Sequence, residues 1–103
     1  MKVTLLPVAR REMLRAADWY DTRAIGLGNR FLDCMRDGIH SIKEFPHSSP
    51  SIGEPYRRKI LTDFPYGLIF CIRVDRVVII AVAHLKRKPE YWKRRSTDPP
   101  ANQ

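Results

Sequence analysis

Two apolar runs lie almost end to end in the second half of the chain, "YGLIFCIRV" at 66–74 and "VVIIAVAHL" at 77–85, parted only by "DR". A connection that short makes an antiparallel hairpin. In the first run one parity carries Leu68, Phe70, Ile72 and Val74, while the other carries Ile69 and Cys71 before Arg73 appears. The second run is apolar on both parities until His84. Side chains alternate across a strand, so the centre of this sheet needs cover on both faces.

The rest of the chain supplies the candidate layers. "YRRKIL" (56–61) reads as a third strand, joined to the second by "TDFP", and the three form a meander. At the start, "KVTLL" (2–6) is a short strand ending at Pro7, which suits the first turn of a helix. From Val8 to about Arg23, Ala9, Met13, Ala16, Ala17 and Tyr20 recur at helical spacing. "IGLGN" (25–29) gives a tight connection. A second helix from about Leu27 to Phe45 carries the stripe Leu27, Phe31, Cys34, Met35, Ile39, Ile42 and Phe45, and Pro46 closes it. The segment "PHSSPSIGEP" (46–55) is loop by composition.

The predicted fold is α+β, in the order β-α-α-β-β-β. An antiparallel sheet meander is covered on one face by an α-helical hairpin, with a short C-terminal helix after Pro89. Two helices cover only one face. Either the C-terminal segment folds back over the other, or another chain supplies the second layer, and the periodicity predicts such a partner.

A chain of 103 residues is one domain. Residues 1–95 are expected to form it, with 96–103, "STDPPANQ", as a disordered tail. No apolar run is long enough to span a membrane, and the apolar part of "MKVTLLPVARREM" is too short for a signal peptide. Cys34 and Cys71 sit in apolar runs and read as core residues in a reducing cytoplasm. No metal-ligand spacing, phosphate-cradling glycine loop or nucleophile elbow is present, and no metal or cofactor is expected.

Charge narrows the class further. Nineteen Lys and Arg against eleven Asp and Glu give a net +8, which points to an anionic partner such as nucleic acid, a ribosome or an acidic protein. The cations gather at Arg57, Arg58 and Lys59, and again at Lys86, Arg87, Lys88, Lys93, Arg94 and Arg95. A metal-free ribonuclease needs a base, an acid and cations on the phosphate. His84 or Tyr91, with Arg58, Arg73 and Arg87, supplies these if the strand ends converge. Otherwise His84 packs or caps a strand end and the arginines form a solvated or protein-binding rim. In "YRRKIL" Arg58 faces one side, Arg57 and Lys59 the other. Trp92 reads as an anchor for the C-terminal segment, and Tyr91 as either anchor or stacking platform. His40 and His47 carry no assigned role.

Together, "FPYGLIF…VVIIAVAHLKRKPEYW" and "AADWYD" resemble the RelE/ParE toxin superfamily of bacterial type II toxin–antitoxin systems, over about residues 2–95. The resemblance implies the β-α-α-β-β-β fold and a cognate ParD-like antitoxin that folds on binding, in a cytoplasmic hetero-oligomer. RelE-like members are ribosome-dependent mRNA endoribonucleases. Arg58, Arg73 and Arg87 fall roughly where their cations lie, and Tyr91 where their aromatic lies. ParE-like members inhibit DNA gyrase, and the "FPY" and "KRKPEYW" wording is closer to theirs. The paired lysines of RelE-like nucleases are not reproduced in "YRRKIL". The implied reading is a ParE-like gyrase inhibitor whose effector surface is Arg87, Lys88, Tyr91, Lys93, Arg94 and Arg95. Arg10, Arg11, Arg15, Arg57, Lys59 and Arg73 are expected to meet antitoxin acids.

Overall fold

A computed structural model describes residues 1–88 and 90–97. Its elements are β1 (Lys2–Leu5), α1 (Pro7–Arg23), α2 (Leu27–Glu44), a 3-10 turn (Pro46–Ser48), β2 (Tyr56–Ile60), β3 (Tyr66–Ile72) and β4 (Arg76–His84). Pro7 opens α1, where a missing amide donor costs nothing. Gly26, at φ 82°, turns the chain between the helices in a conformation that disfavours residues with a side chain. Asp21 Oδ1 then accepts the Gly28 amide at 2.8 Å, so α1 caps the first turn of α2. A Cβ on Gly28 would lie 2.5 Å from the Ala17 carbonyl oxygen, which explains glycine where the helices touch.

The sheet order is β1-β4-β3-β2. β2–β3 and β3–β4 pair antiparallel, as the short connections require, with a register shift between Ile69 and Phe70. The whole sheet is nevertheless mixed, because β1 lies parallel to β4, with Lys2 opposite Arg76 and Leu5 opposite Ile79. The long return through the helical hairpin makes a parallel neighbour possible.

Leu68, Phe70, Val77 and Ile79 are fully buried, as are Phe31 and Ile42 of the helix that covers them. Phe64 and Tyr66, from "FPY", join Tyr20 and Phe31 in an edge-to-face cluster with centroids 4.8–5.3 Å apart for Tyr20–Phe64, Phe31–Phe64 and Phe31–Tyr66. The motif therefore fastens hairpin to sheet.

The second face is closed by the chain itself. Trp92 is 5% exposed, with its ring edge-on to Tyr56 at 4.8 Å, and it shares a cleft with Ile52, Ile69 and Ala83. Of the two covers the periodicity allowed, the C-terminal segment is the one present, so the burial pattern alone no longer requires a partner. That segment is a run of turns rather than the expected short helix. Glu90 has φ 74°, outside helical space, and the bonds are i→i+3, from the Lys93 amide to Glu90 O and the Arg95 amide to Trp92 O. Of the tail expected to be disordered, 98–103 lie outside the described residues. No described helix is long and apolar enough to cross a membrane.

Candidate functional site

β1 is shorter than β4, so β4 runs on past its last strand partner. Leu6 N–H reaches Ile79 O, and beyond that the edge is finished by side chains. Glu12 of α1 accepts the Val82 amide at 3.0 Å. Its carboxylate also takes both terminal nitrogens of Arg95, at 2.8 and 2.9 Å, and the Tyr91 hydroxyl at 3.0 Å. Arg95 Nη1 donates as well to Ile80 O at 2.9 Å. The two side chains are 13% and 18% exposed, so this bidentate pair is largely removed from water. Paired in this way it stabilises the docked segment, and either partner left alone would be a costly buried charge.

Tyr91 links this pair to the surface. Its ring carries the Arg87 guanidinium at 3.8 Å and that of Arg95 at 5.1 Å. Burial, followed by the Glu12 charge and its hydrogen bond, pushes the phenol up to about 12. Tyr91 is thus a neutral donor engaged with Glu12, a poor arrangement for a general base.

Arg58, His84, Arg87 and Tyr91 line one cleft of about 160 Å³ on the second face of the sheet. Four of the five candidate ribonuclease residues converge there. The fifth does not: Arg73 follows β3, in the β3–β4 turn that its amide closes onto Arg76 O at 2.7 Å. Parity places Arg58 as expected, opposite Ile69. Its stem lies against Gly67, where a Cβ would come within 3.0 Å of Arg58 Cγ and Cδ, so a side chain at 67 would press on that stem. Arg58 Nε is buried and has no hydrogen-bond partner among the described residues. His84 Nδ1 accepts the Lys86 amide at 3.1 Å, which puts the proton of the neutral ring on Nε2, and Tyr66 stands edge-on to it at 5.0 Å.

The remaining candidates divide. Arg87, Lys88, Lys93 and Arg94 are exposed, with Lys93 held 3.0 Å from Glu90. Arg95, expected among these surface cations, is turned inward because Glu12 and the Ile80 carbonyl offer it partners on the open edge. The six cations expected to face an antitoxin do not form one patch. Arg11 and Arg15 line a groove on α1, and Arg10 stands beside β1. Arg57 is spent on the loop carbonyls of His47 and Ser49, at 3.3 and 2.7 Å. Lys59 lies near Asp37 of α2.

Glu12 is the residue that sequence reasoning missed. Its signal was faint: an acid three residues after Ala9 and four before Ala16, on a helix face otherwise apolar. Among the described residues no cluster of three His, Cys, Asp or Glu is placed to hold a metal.

No model of a protein family matches the chain, and neither does any curated protein. Among solved structures, it is similar to a chain of one described as the chromosomal ParDE TA system from P. aeruginosa, with a TM-score of 0.64 and 15% identity. The match covers 84% of this chain and 97% of that one. The protein therefore has a ParE-like fold, two helices against a mixed four-stranded sheet.

Proposed function

We propose that this chain is the toxin of a type II toxin–antitoxin pair, silenced by a cognate antitoxin, and that it acts on DNA gyrase by protein contact. The toxin role is supported by a fold shared over almost the whole length of a ParDE component. The observation that favours contact over catalysis is Tyr91. Its hydroxyl is committed to a part-buried carboxylate and its phenol is pushed up to about 12, which makes it a poor general base. The exposed cations Arg87, Lys88, Lys93 and Arg94 form the effector face in this reading.

The test is induced expression in a bacterial host without antitoxin, following a DNA-damage reporter and protein synthesis in one culture. Growth arrest with early reporter induction and continuing translation is expected. Immediate translation arrest with a silent reporter would discard the gyrase reading. Deleting residues 89–103 would not isolate the effector face, since Trp92, Tyr91 and Arg95 leave with it and the sheet loses its second cover. Lys88→Glu with Arg94→Glu is the cleaner variant.

A second reading, a ribosome-dependent endoribonuclease, is favoured by one observation: Arg58, His84 and Arg87 meet at a cleft where the Arg58 Nε donor finds no partner among the described residues. In that case Arg87→Ala would lose mRNA cleavage by about 100-fold or more while folding normally.

A further inference from the structure

The cations of the effector face differ in how they are held. Arg87, Lys88, Lys93 and Arg94 are all exposed, and long basic side chains lose much rotamer freedom when a partner fixes them. Among the described residues, Arg87 is the one of these four whose charge lies against an aromatic ring, its guanidinium 3.8 Å from the centroid of Tyr91. That ring is itself pinned. Its hydroxyl donates to Glu12 Oε2 at 3.0 Å, and the same oxygen takes Arg95 Nη2 at 2.9 Å. The other oxygen of Glu12 takes the Val82 amide at 3.0 Å and Arg95 Nη1 at 2.8 Å. A chain of contacts therefore runs from the backbone of β4, through a largely buried carboxylate and a half-buried phenol, to a surface guanidinium. Burial and Glu12 keep that phenol protonated, so the donor is retained at ordinary pH.

Arg87 lines both the cleft of Arg58 and His84 and the groove of Arg11 and Arg15, so its charge stands on the rim the two share. Its own backbone tie is local. The Arg87 amide donates to His84 O at 3.0 Å, which fixes the turn and leaves the side-chain torsions open. We infer that Glu12 and Tyr91 are positioning residues, which act through Arg87 by holding it oriented for contact with the target. The inference rests on the toxin reading, in which Arg87 belongs to the effector face. Ordering this cation in advance lowers the entropic cost of recognition, and it makes recognition depend on a carboxylate that is itself turned away from the surface.

The test reads Arg87 directly, by NMR of the full-length protein carrying isotope-labelled arginine. The Nε–H resonance of Arg87, assigned with Arg87→Lys, is expected away from the position of a solvated arginine because the Tyr91 ring shields it. Tyr91→Leu should return it to that position. Tyr91→Phe and Glu12→Gln keep a ring but loosen its tether, and should return it part of the way. Hydrogen exchange at the Val82 amide shows in each variant whether Glu12 still closes the edge. Where Tyr91→Leu exposes that amide, Tyr91→Phe replaces it in the comparison. Ile42→Val removes buried volume under the opposite cover, so it should lower the melting temperature and leave the resonance in place. A resonance that follows stability instead would overturn the inference. So would one that sits at the solvated position in the unaltered protein, or that Tyr91→Leu leaves unmoved. If Tyr91→Phe and Glu12→Gln both match the unaltered protein, the ring alone suffices and the role of Glu12 is lost.

The functional readout is the inducer dose for growth arrest in the host without antitoxin. Tyr91→Leu should raise it about threefold or more. Added to Arg87→Ala, it should raise it no further than Arg87→Ala does alone, and additive losses would show that Tyr91 acts apart from Arg87 and overturn the inference. The resonance needs no toxicity, so a protein in which it behaves as expected but growth is unaffected would sink the toxin reading alone.

Discussion

The helical hairpin covers one face of the sheet with Ala9, Ala16, Phe31, Met35 and Ile42, all at 5% exposure or less. Residues 90–95 cover the other with one indole and a set of hydrogen bonds gathered on Glu12. The first cover is dispersed over many apolar contacts and indifferent to charge. The second is concentrated, and removing one atom group disturbs several partners at once. Stability on the two faces should therefore respond to different perturbations.

The largest effect expected is from Trp92→Ala, a loss of about 3–5 kcal/mol by chemical denaturation, comparable to Phe31→Ala on the helical side. A loss below about 1 kcal/mol would mean that the C-terminal segment is an ornament and the comparison is void. Glu12→Gln should cost less, about 1–3 kcal/mol, because it keeps an acceptor for Val82 but loses the charge that holds Arg95. Hydrogen exchange distinguishes this from general destabilisation. The Val82 amide should exchange faster while amides of α2 keep their protection, and equal acceleration in both would show that the covers are not separable.

A smaller effect is pH-dependent. The phenol of Tyr91 is raised from 10.0 to about 12 in the folded protein, so the folded state holds its proton more tightly than the unfolded one. Its contribution is complete below about pH 10 and is lost as pH rises towards about 12. A denaturation series over that window should slope downward, and Tyr91→Phe should make it shallower, leaving the share of Cys71, Tyr20 and Tyr66, which burial raises as well. An identical slope in both proteins would place the titration elsewhere. The least stability change is expected from Lys88→Glu with Arg94→Glu, within about 0.5 kcal/mol because both residues are exposed. Any larger loss would show that these cations belong to the fold rather than to a recognition surface.

The helical hairpin was legible in the sequence because its cover is periodic: "LGNRFLDCMRDGIHSI" repeats its apolar residues at the spacing of a helix. The meander was legible from connections too short for any crossover. The need for a second cover was equally plain in "VVIIAVA", but its occupant was not, because one Trp in a run of turns has no period. Parity separated Arg58 from Arg57 and Lys59 correctly. What parity could not show was convergence, which depends on the C-terminal segment crossing back to place Arg87 and Tyr91 near Arg58. Glu12 escaped for a related reason. Its partners are 70 to 83 residues away, and nothing local in "ARREML" marks its carboxylate as the one that turns inward.

The Glu12–Arg95 pair has one more consequence, for shortened copies of the chain. Arg95 lies beyond the end of β4, so a protein that stops before it keeps the whole sheet but loses the donor to Ile80 O and leaves Glu12 without its counter-charge. A strand border with an unpaired carbonyl is where a second copy of the chain can pair, strand against strand. A transcript cut short before this codon therefore yields a protein whose sticky margin is never sealed.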